Sequence, residues 1–341
     1  MESRLGVGII GCGNISATHL KVLSEMSDVK LVAMCDNKPE RAQAAAARYG
    51  AAAVEDWKSL IQRPDVDVIH VLTPHYLHAE MALEALKAGK FVLCEKPMAT
   101  RVADARAMIE ADPTGLRLGI IFQNRYNQSA VRAKEMLEAG ALGRIVTLKA
   151  SVTWFRDAAY YGDDWHGRWA TEGGGSLINQ AIHTVDMLYY LGGPFAAIKG
   201  SITTDLLQGV IEVEENSHAV IRYQNGAVGL LHTSNSYGIS EVPEVVVVCE
   251  KGTLCMRGDL LILREEDKET VLVEPETMDN GTKAVYGNGH VAQIPDFYRC
   301  IRSGTPYWLN ATEAFPAIWA VLSIYRSSEC GQWVSFGETV S

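Results

Sequence analysis

Leu5-Gly6-Val7-Gly8-Ile9-Ile10, followed by Gly11-Cys12-Gly13-Asn14-Ile15-Ser16, decides how the first third of the chain folds. A short apolar run stopped by glycine reads as a buried strand. Gly11-x-Gly13-x-x-Ser16 then stands between that strand and a helix, with the spacing of a dinucleotide-binding turn and a small residue at its third key position. The first glycine turns the chain, the second lets a pyrophosphate approach the backbone, and the third position stays small so that helix packs on strand. Helix-terminal N–H groups then face the phosphates. Asp36 lies 20 residues after Ser16, at the end of the next apolar run. A carboxylate there accepts hydrogen bonds from the ribose hydroxyls of NAD and repels the 2′-phosphate of NADP. NAD is therefore expected over NADP, with Lys38 and Arg41 close enough to weaken the preference.

Outward from this turn, strand and helix signals alternate. Helices are read at Ile15–Met26, Pro39–Tyr49, His75–Ala88 and Arg101–Ala111, and strands at Lys30–Cys35, Val68–Leu72, Phe91–Cys94 and Leu118–Phe122. Pro39 early and Gly50 after the end are ordinary helix punctuation. Continuous apolar runs between helices predict an α/β unit, a doubly wound parallel sheet buried on both faces. It is expected to occupy residues 1–124. Residues 125–341 read as an α+β domain on an antiparallel sheet: a helix at Ala130–Ala139, a long strand at Ile145–Phe155 and an apolar helix at Ser176–Leu191. β-rich runs with hairpin turns such as Asn225-Gly226 follow to about 265, and helices at 290–303 and 311–329 close the chain.

Composition excludes several classes. The chain carries 31 basic and 41 acidic residues, a net charge of −10, which is not the footprint of a nucleic-acid binder. Its seven cysteines are widely spaced without a C-x-x-C, against a disulfide framework or zinc cluster. No run approaches the roughly 20 apolar residues of a membrane span, and the apolar stretch at Leu5–Ile10 is too short for a signal-peptide core. A cytoplasmic location is expected. His75-x-x-His78 lacks further nearby ligands, so no metal is expected.

The chemistry-bearing residues fall at the strand ends and on one later helix. Cys94-Glu95-Lys96-Pro97 ends the fourth strand, so Lys96 is expected at the ligand crevice, where its ammonium can bond a substrate hydroxyl. Asn179 and His183, four residues apart, share a face of the predicted 176–191 helix. An imidazole suits proton transfer to or from a hydroxyl, and Asp186 stands three residues on, placed to orient the ring. Arg125 and Tyr126 begin the second domain. Trp154, Arg156, Tyr160, Tyr161, Trp165, His166, Arg168 and Trp169 crowd together before the glycine triplet at Gly173–Gly175. Aromatic faces cover a sugar ring and arginines bond its hydroxyls. Arg125, Tyr126, Trp165, Arg168 and Asn179 are the candidate substrate contacts, and at least half of the aromatics are expected to be structural.

Four motifs occur in order: Gly11-Cys12-Gly13-Asn14, Thr73-Pro74-His75-Tyr76-Leu77-His78, Cys94-Glu95-Lys96-Pro97 and Gly173-Gly174-Gly175-Ser176-Leu177-Ile178-Asn179-Gln180-Ala181-Ile182-His183. Gly289-His290 and Gln293-Ile294-Pro295-Asp296-Phe297 follow. Over nearly its full length the chain resembles the glucose–fructose oxidoreductase and inositol dehydrogenase family, Gfo/Idh/MocA. The resemblance implies an N-terminal Rossmann domain, a C-terminal domain with an open, mostly antiparallel sheet, and nicotinamide-dependent oxidation or reduction of a secondary alcohol on a sugar, glycoside or cyclitol. It places the family lysine at Lys96 and the family histidine at His183. It adds Thr73, Pro74, His78, Glu95 and Lys96 to Gly11, Cys12, Gly13, Asn14, Ile15 and Asp36 around the cofactor. Asn179 stands where the family has aspartate, and Ala181 where it has glycine; an asparagine orients a hydroxyl but is no base. Two other readings are open: an NAD-binding sensor without turnover, and an enzyme that recycles tightly bound NAD. The family also implies dimers or tetramers. The four consecutive valines of Glu244–Cys249 agree, because both faces of that strand then require burial and a partner's sheet supplies the second.

Overall fold

The computed structural model describes residues 4–275 and 289–338, which form two compact units. The first comprises residues 4–122 and His290–Phe315; the second comprises 123–275, Gly289 and 316–338. The chain therefore returns to its first unit late, a feature that a single boundary at 124 does not contain. The reason is packing. Gln293 Nε2 donates to the Ile120 carbonyl at 2.8 Å, and Phe297 presses so close to Gly119 that an added Cβ would lie 2.9 Å from its ring.

In the first unit, β1 (Leu5–Ile10), β2 (Val29–Cys35), β3 (Ala52–Ala53), β4 (Val68–Val71), β5 (Phe91–Cys94) and β6 (Leu118–Ile120) form a parallel sheet in the order β3-β2-β1-β4-β5-β6. Helices α1 (Ser16–Glu25), α2 (Pro39–Tyr49), α3 (Trp57–Ile61), α4 (His78–Lys87) and α5 (Val102–Ala111) connect them. Every residue of β4 is buried, as expected for a strand covered on both faces. α2 ends on Gly50 in the left-handed conformation at φ 69°. The strand order reverses between β1 and β4, and ligands of such sheets bind beyond the carboxyl ends at this switch. Gly11, Asp36, Thr73 and Lys96 follow the carboxyl ends of β1, β2, β4 and β5.

The second unit opens with α6 (Gln128–Glu138), β7 (Ile145–Thr153) and α7 (Ile182–Gly192). β8 (Phe195–Thr203), β9 (Asn216–Tyr223), β10 (Val228–Ser234), β11 (Glu244–Cys249), β12 (Thr253–Arg257), β13 (Leu260–Glu265) and β14 (Lys268–Val273) follow. α8 (Gly289–Ser303), from His290 on, and the start of α9 (Ala311–Cys330) belong to the first unit, and β15 (Val334–Ser335) is the last strand described. The sheet order is β14-β13-β12-β11-β7-β10-β9-β8-β15, antiparallel throughout except between β7 and β10.

One face of this sheet is core and carries α6 and α7. Val245 and Val247 point into it at 4% and 1% exposure. Val246 and Val248 point the other way and are half-buried. Along that second face, Val220, Leu230, Lys149, Val246, Cys255, Ile262 and Val271 form one cross-strand row. Val220, Leu230 and Val271 of this row are exposed. Among the described residues no helix is long and apolar enough to cross a membrane. All seven cysteines are free thiols.

Candidate functional site

The glycine turn after β1 admits no side chain at its first position. Gly11 has φ +96°, and a Cβ there would lie 2.4 Å from the Leu72 carbonyl oxygen. Gly13 has nothing within 4 Å, so its backbone is open to an approaching group. The Cys12 N–H donates to Asp36 Oδ2 at 2.7 Å and the Lys38 N–H to Oδ1 at 2.8 Å. Asp36 thus ties the turn to the end of β2. Ser16 is buried and donates through Oγ to the Gly13 carbonyl at 2.7 Å, closing the turn ahead of α1, while Asn14 and Ile15 complete it. Burial, then the charge of Asp36, pushes the Cys12 thiol up to about 12, so it stays a neutral thiol. A glycine-only turn, an open second glycine and a fixed carboxylate at the neighbouring strand end fit a dinucleotide.

His78 stands between the loops after β4 and β5. Its buried ring places Nε2 2.7 Å from the Thr73 carbonyl and Nδ1 2.7 Å from the Pro97 carbonyl. The His78 ring thus lies between the Thr73-Pro74 and Lys96-Pro97 segments, its one N–H donating to one of the two carbonyls. Lys96 is partly exposed, while Glu95 beside it is 6% exposed. Glu95 Oε1 lies 3.1 Å from His19 Nε2 and 3.3 Å from His290 Nε2, and Oε2 accepts from the Lys96 N–H at 3.2 Å. Burial opposes the charge of Glu95. The bonds from the two histidines outweigh it and hold the carboxyl well below its usual range. Among the described residues, His19, Glu95 and His290 are the set whose composition suits a metal, with ligating atoms within 4.8 Å of one another. Two histidine N–H donors on a carboxylate satisfy the same set without an ion.

In the second unit the predicted 176–191 helix is broken. Ser176–Gln180 forms a π turn, with the Ala181 N–H donating to the Ser176 carbonyl, and α7 begins only at Ile182. Asn179 and His183 therefore flank a junction instead of sharing one regular helix face. The cause is the glycine triplet and what packs on it. A Cβ on Gly174 would lie 2.0 Å from the Tyr325 hydroxyl, and one on Gly175 1.9 Å from the Glu214 carbonyl oxygen. Glu214 accepts from the Gly175 N–H at 2.8 Å, the Leu177 N–H at 2.9 Å and the Tyr325 hydroxyl at 3.1 Å. This buried carboxylate caps the turn that carries Asn179.

Asn179 donates through Nδ2 to Glu172 Oε1 at 2.6 Å, and the Gly167 N–H donates to Glu172 Oε2 at 2.5 Å. Gln180 donates to the Tyr160 hydroxyl at 3.0 Å, and Asn235 to the Tyr161 hydroxyl at 3.0 Å. The Arg156 guanidinium lies over the rings of Trp154 and Tyr160. Trp165 packs on His166 with ring centroids 3.7 Å apart; both are half-buried. Arg168 is exposed and donates to the Asp164 carbonyl at 2.5 Å. Tyr126 is half-buried and His183 is buried at 6% exposure. Arg125, expected at the substrate, is 1% exposed, and its guanidinium donates to Asp186 at 2.8 and 2.7 Å. The acid expected to orient His183 therefore carries a bidentate buried ion pair.

The pattern of known proteins matches both units. The family model described as an oxidoreductase family with an NAD-binding Rossmann fold matches residues 5–118, and the GFO/IDH/MocA C-terminal domain matches 130–255. The chain belongs to the Gfo/Idh/MocA oxidoreductase family. It is 28% identical to the levoglucosan dehydrogenase of Pseudarthrobacter phenanthrenivorans, over 83% of this chain and 80% of that one. It is 27% identical to the myo-inositol 2-dehydrogenase of Thermotoga maritima, over 98% and 99%. The solved WlbA dehydrogenase of Bordetella pertussis, in complex with NADH and UDP-GlcNAcA, superposes at TM-score 0.88 with 30% identity, covering 99% of each chain.

As a Gfo/Idh/MocA member the protein is a nicotinamide-dependent oxidoreductase, with an NAD-binding first unit. Sequence reasoning passed over Glu172, Glu214, Tyr325 and His19. Glu214 meets Leu177 across 37 positions, and His19 meets Glu95 across 76, so no local spacing marks either pair. The glycine triplet was the available signal for Glu214, since three glycines in a row mean that something packs against the backbone.

Proposed function

We propose that this Gfo/Idh/MocA enzyme interconverts a secondary alcohol and a ketone on a sugar, glycoside or cyclitol, with NAD rather than NADP as its partner. The observation that carries this reading is the arrival of Gly11, Asp36, Thr73 and Lys96 at the carboxyl ends of four strands around one switch point. Asp36 at the end of β2 supports NAD. Substrate class is supported by the polar and aromatic cluster of Tyr160, Trp165, His166, Asn179 and Gln180, and by relatives named as levoglucosan, glucoside and inositol dehydrogenases.

When bound, NAD supplies the hydride acceptor. Lys96 donates a hydrogen bond to the reacting hydroxyl oxygen. His183 takes the hydroxyl proton as the carbon–hydrogen bond gives up its hydride, and releases that proton to solvent afterwards. Asn179, whose amide is turned by Glu172, presents its carbonyl oxygen as an acceptor for a substrate hydroxyl. Tyr126, Trp165 and Arg168 contact the ring. Arg125 acts at one remove, by fixing Asp186 on α7.

The test is a panel of inositols, hexoses, glycosides and nucleotide sugars, followed by NADH formation. Lys96→Ala and His183→Ala are expected to abolish turnover while NAD affinity changes little. Wild-type protein that binds NAD but turns over no polyol overturns the reading.

The half-open face of the second sheet supports assembly with a second copy of the chain. The row of Val220, Leu230, Val246, Ile262 and Val271, interrupted by Lys149 between Leu230 and Val246, offers a largely apolar strip, and a twofold axis would pack it on itself.

A further inference from the structure

Among the buried side chains of the first unit that the nucleotide turn and Lys96 leave unused, four form one connected series with Glu95. They are His19, His70, His290 and Tyr298, at 0%, 0%, 6% and 1% exposure. They reach Glu95 from α1, β4 and α8.

Their distances permit one arrangement of protons among neutral rings. A carboxylate only accepts, so His19 Nε2 at 3.1 Å and His290 Nε2 at 3.3 Å from Glu95 Oε1 both carry hydrogen. A neutral His19 protonated at Nε2 has a bare Nδ1. His70 Nδ1, 2.8 Å away, must then donate to it. That leaves His70 Nε2 bare, and it accepts from the Tyr298 hydroxyl at 2.9 Å. Every donor in the series Tyr298, His70, His19 points towards Glu95. Burial lowers the pKa of both His19 and His70, which keeps the rings neutral as this order requires.

We propose that this one-way chain, together with His290, keeps Glu95 a permanent buried anion and makes it the positioning residue for Lys96. The carboxylate is gripped at Oε1 by two rings, and its other oxygen accepts from the Lys96 backbone N–H at 3.2 Å. Hydrogen bonds in such a series polarise one another, so the grip exceeds that of isolated pairs. The lysine is thereby attached to a fixed point in the core, not merely to a loop. A sub-ångström error in its placement would be felt in the reaction more than in binding. The inference rests on the reading of Lys96 as the residue that binds the reacting hydroxyl.

The experiment is nitrogen-15 NMR of the imidazoles in the full chain with NAD bound, at neutral pH, alongside kinetics of two variants. His70 is expected in its Nδ1–H form, and His19 and His290 in their Nε2–H forms. His70 protonated at Nε2, or His19 as an imidazolium, overturns the chain. So does a stoichiometric transition metal in the purified protein, because a ligated Nε2 carries no proton. Glu95→Gln is expected to lower kcat about 10- to 100-fold, the worth of charge-assisted hydrogen bonds, with KM for the alcohol substrate changed far less. His290→Asn keeps the carboxylate and loses one donor. It is expected to give a smaller fall in the same direction, and it serves if Glu95→Gln does not fold. Folded variants with wild-type kcat overturn the positioning role. Lys96→Ala judges the underlying reading separately: if it retains turnover while the ring protons are as assigned, the lysine's role fails and the chain stands.

Discussion

Gly175 and Glu214 are packed so closely that each prescribes the other. A Cβ on Gly175 would lie 1.9 Å from the Glu214 carbonyl oxygen, and the Gly175 N–H donates to the Glu214 carboxylate at 2.8 Å. The same carboxylate receives the Leu177 N–H at 2.9 Å. The π turn bearing Asn179 is therefore hung from a carboxyl group in the protein interior.

That group links stability to pH. Burial pushes Glu214 up to about 7 from 4.5, against the backbone and Tyr325 donors that favour its charge. Between those values the native chain holds a proton that the unfolded chain has lost. Its contribution to stability is complete below 4.5 and disappears as pH rises through 7. The full effect is roughly 3 kcal/mol, from about 1.4 kcal/mol per pKa unit. Glu214→Gln, neutral throughout, should flatten the decline in Tm between about pH 4.5 and 7. Thermal melts with equal slopes in both proteins would refute it.

Asn179→Asp should expose the role of Glu172. It would set two carboxylates against each other where the amide and acid now meet at 2.6 Å. Both cannot ionise, so one retains a proton to higher pH. Activity relative to wild type should fall about tenfold or more at alkaline pH and recover on acidification. A ratio that does not vary with pH rules this out.

Asp36→Ala removes an acceptor from the Cys12 and Lys38 N–H groups together with the proposed ribose contact. The preference for NAD over NADP, measured as the ratio of kcat/KM values, should fall about tenfold or more. An unchanged ratio would assign Asp36 to the loop alone.

Leu230→Asp tests the open sheet face. Leu230 is 49% exposed, so the charge should leave the protomer folded. Light scattering is expected to give a multiple of 37.3 kDa for wild type and a value near 37.3 kDa for the variant. Wild type at 37.3 kDa would end the idea.

The first sheet was legible because its signals are local. A continuous apolar run, Gly11, Gly13 and an acid 20 residues past Ser16 lie within one strand–helix–strand unit. Lys96 was legible by topology, since it follows a strand end. The face shared by Asn179 and His183 was misjudged because 3.6-residue spacing assumes an unbroken helix, and the π turn depends on Glu214 and Tyr325. Those two lie on β-rich and C-terminal segments; the glycine triplet announces that something packs against it, but not which residues. Arg125 is read as a substrate contact at the start of the second domain; its burial follows from Asp186, 61 positions away.

The late return of the chain to its first unit orders events during synthesis. The Glu95 carboxylate and its donor His290 are separated by 195 positions. A ribosome thus makes residues 123–289, most of the second unit, before the nucleotide-binding sheet receives His290 and the ring of Tyr298. Until then the nascent sheet carries a buried charge only partly matched, and trimming a gene to its first 124 codons would leave it so permanently.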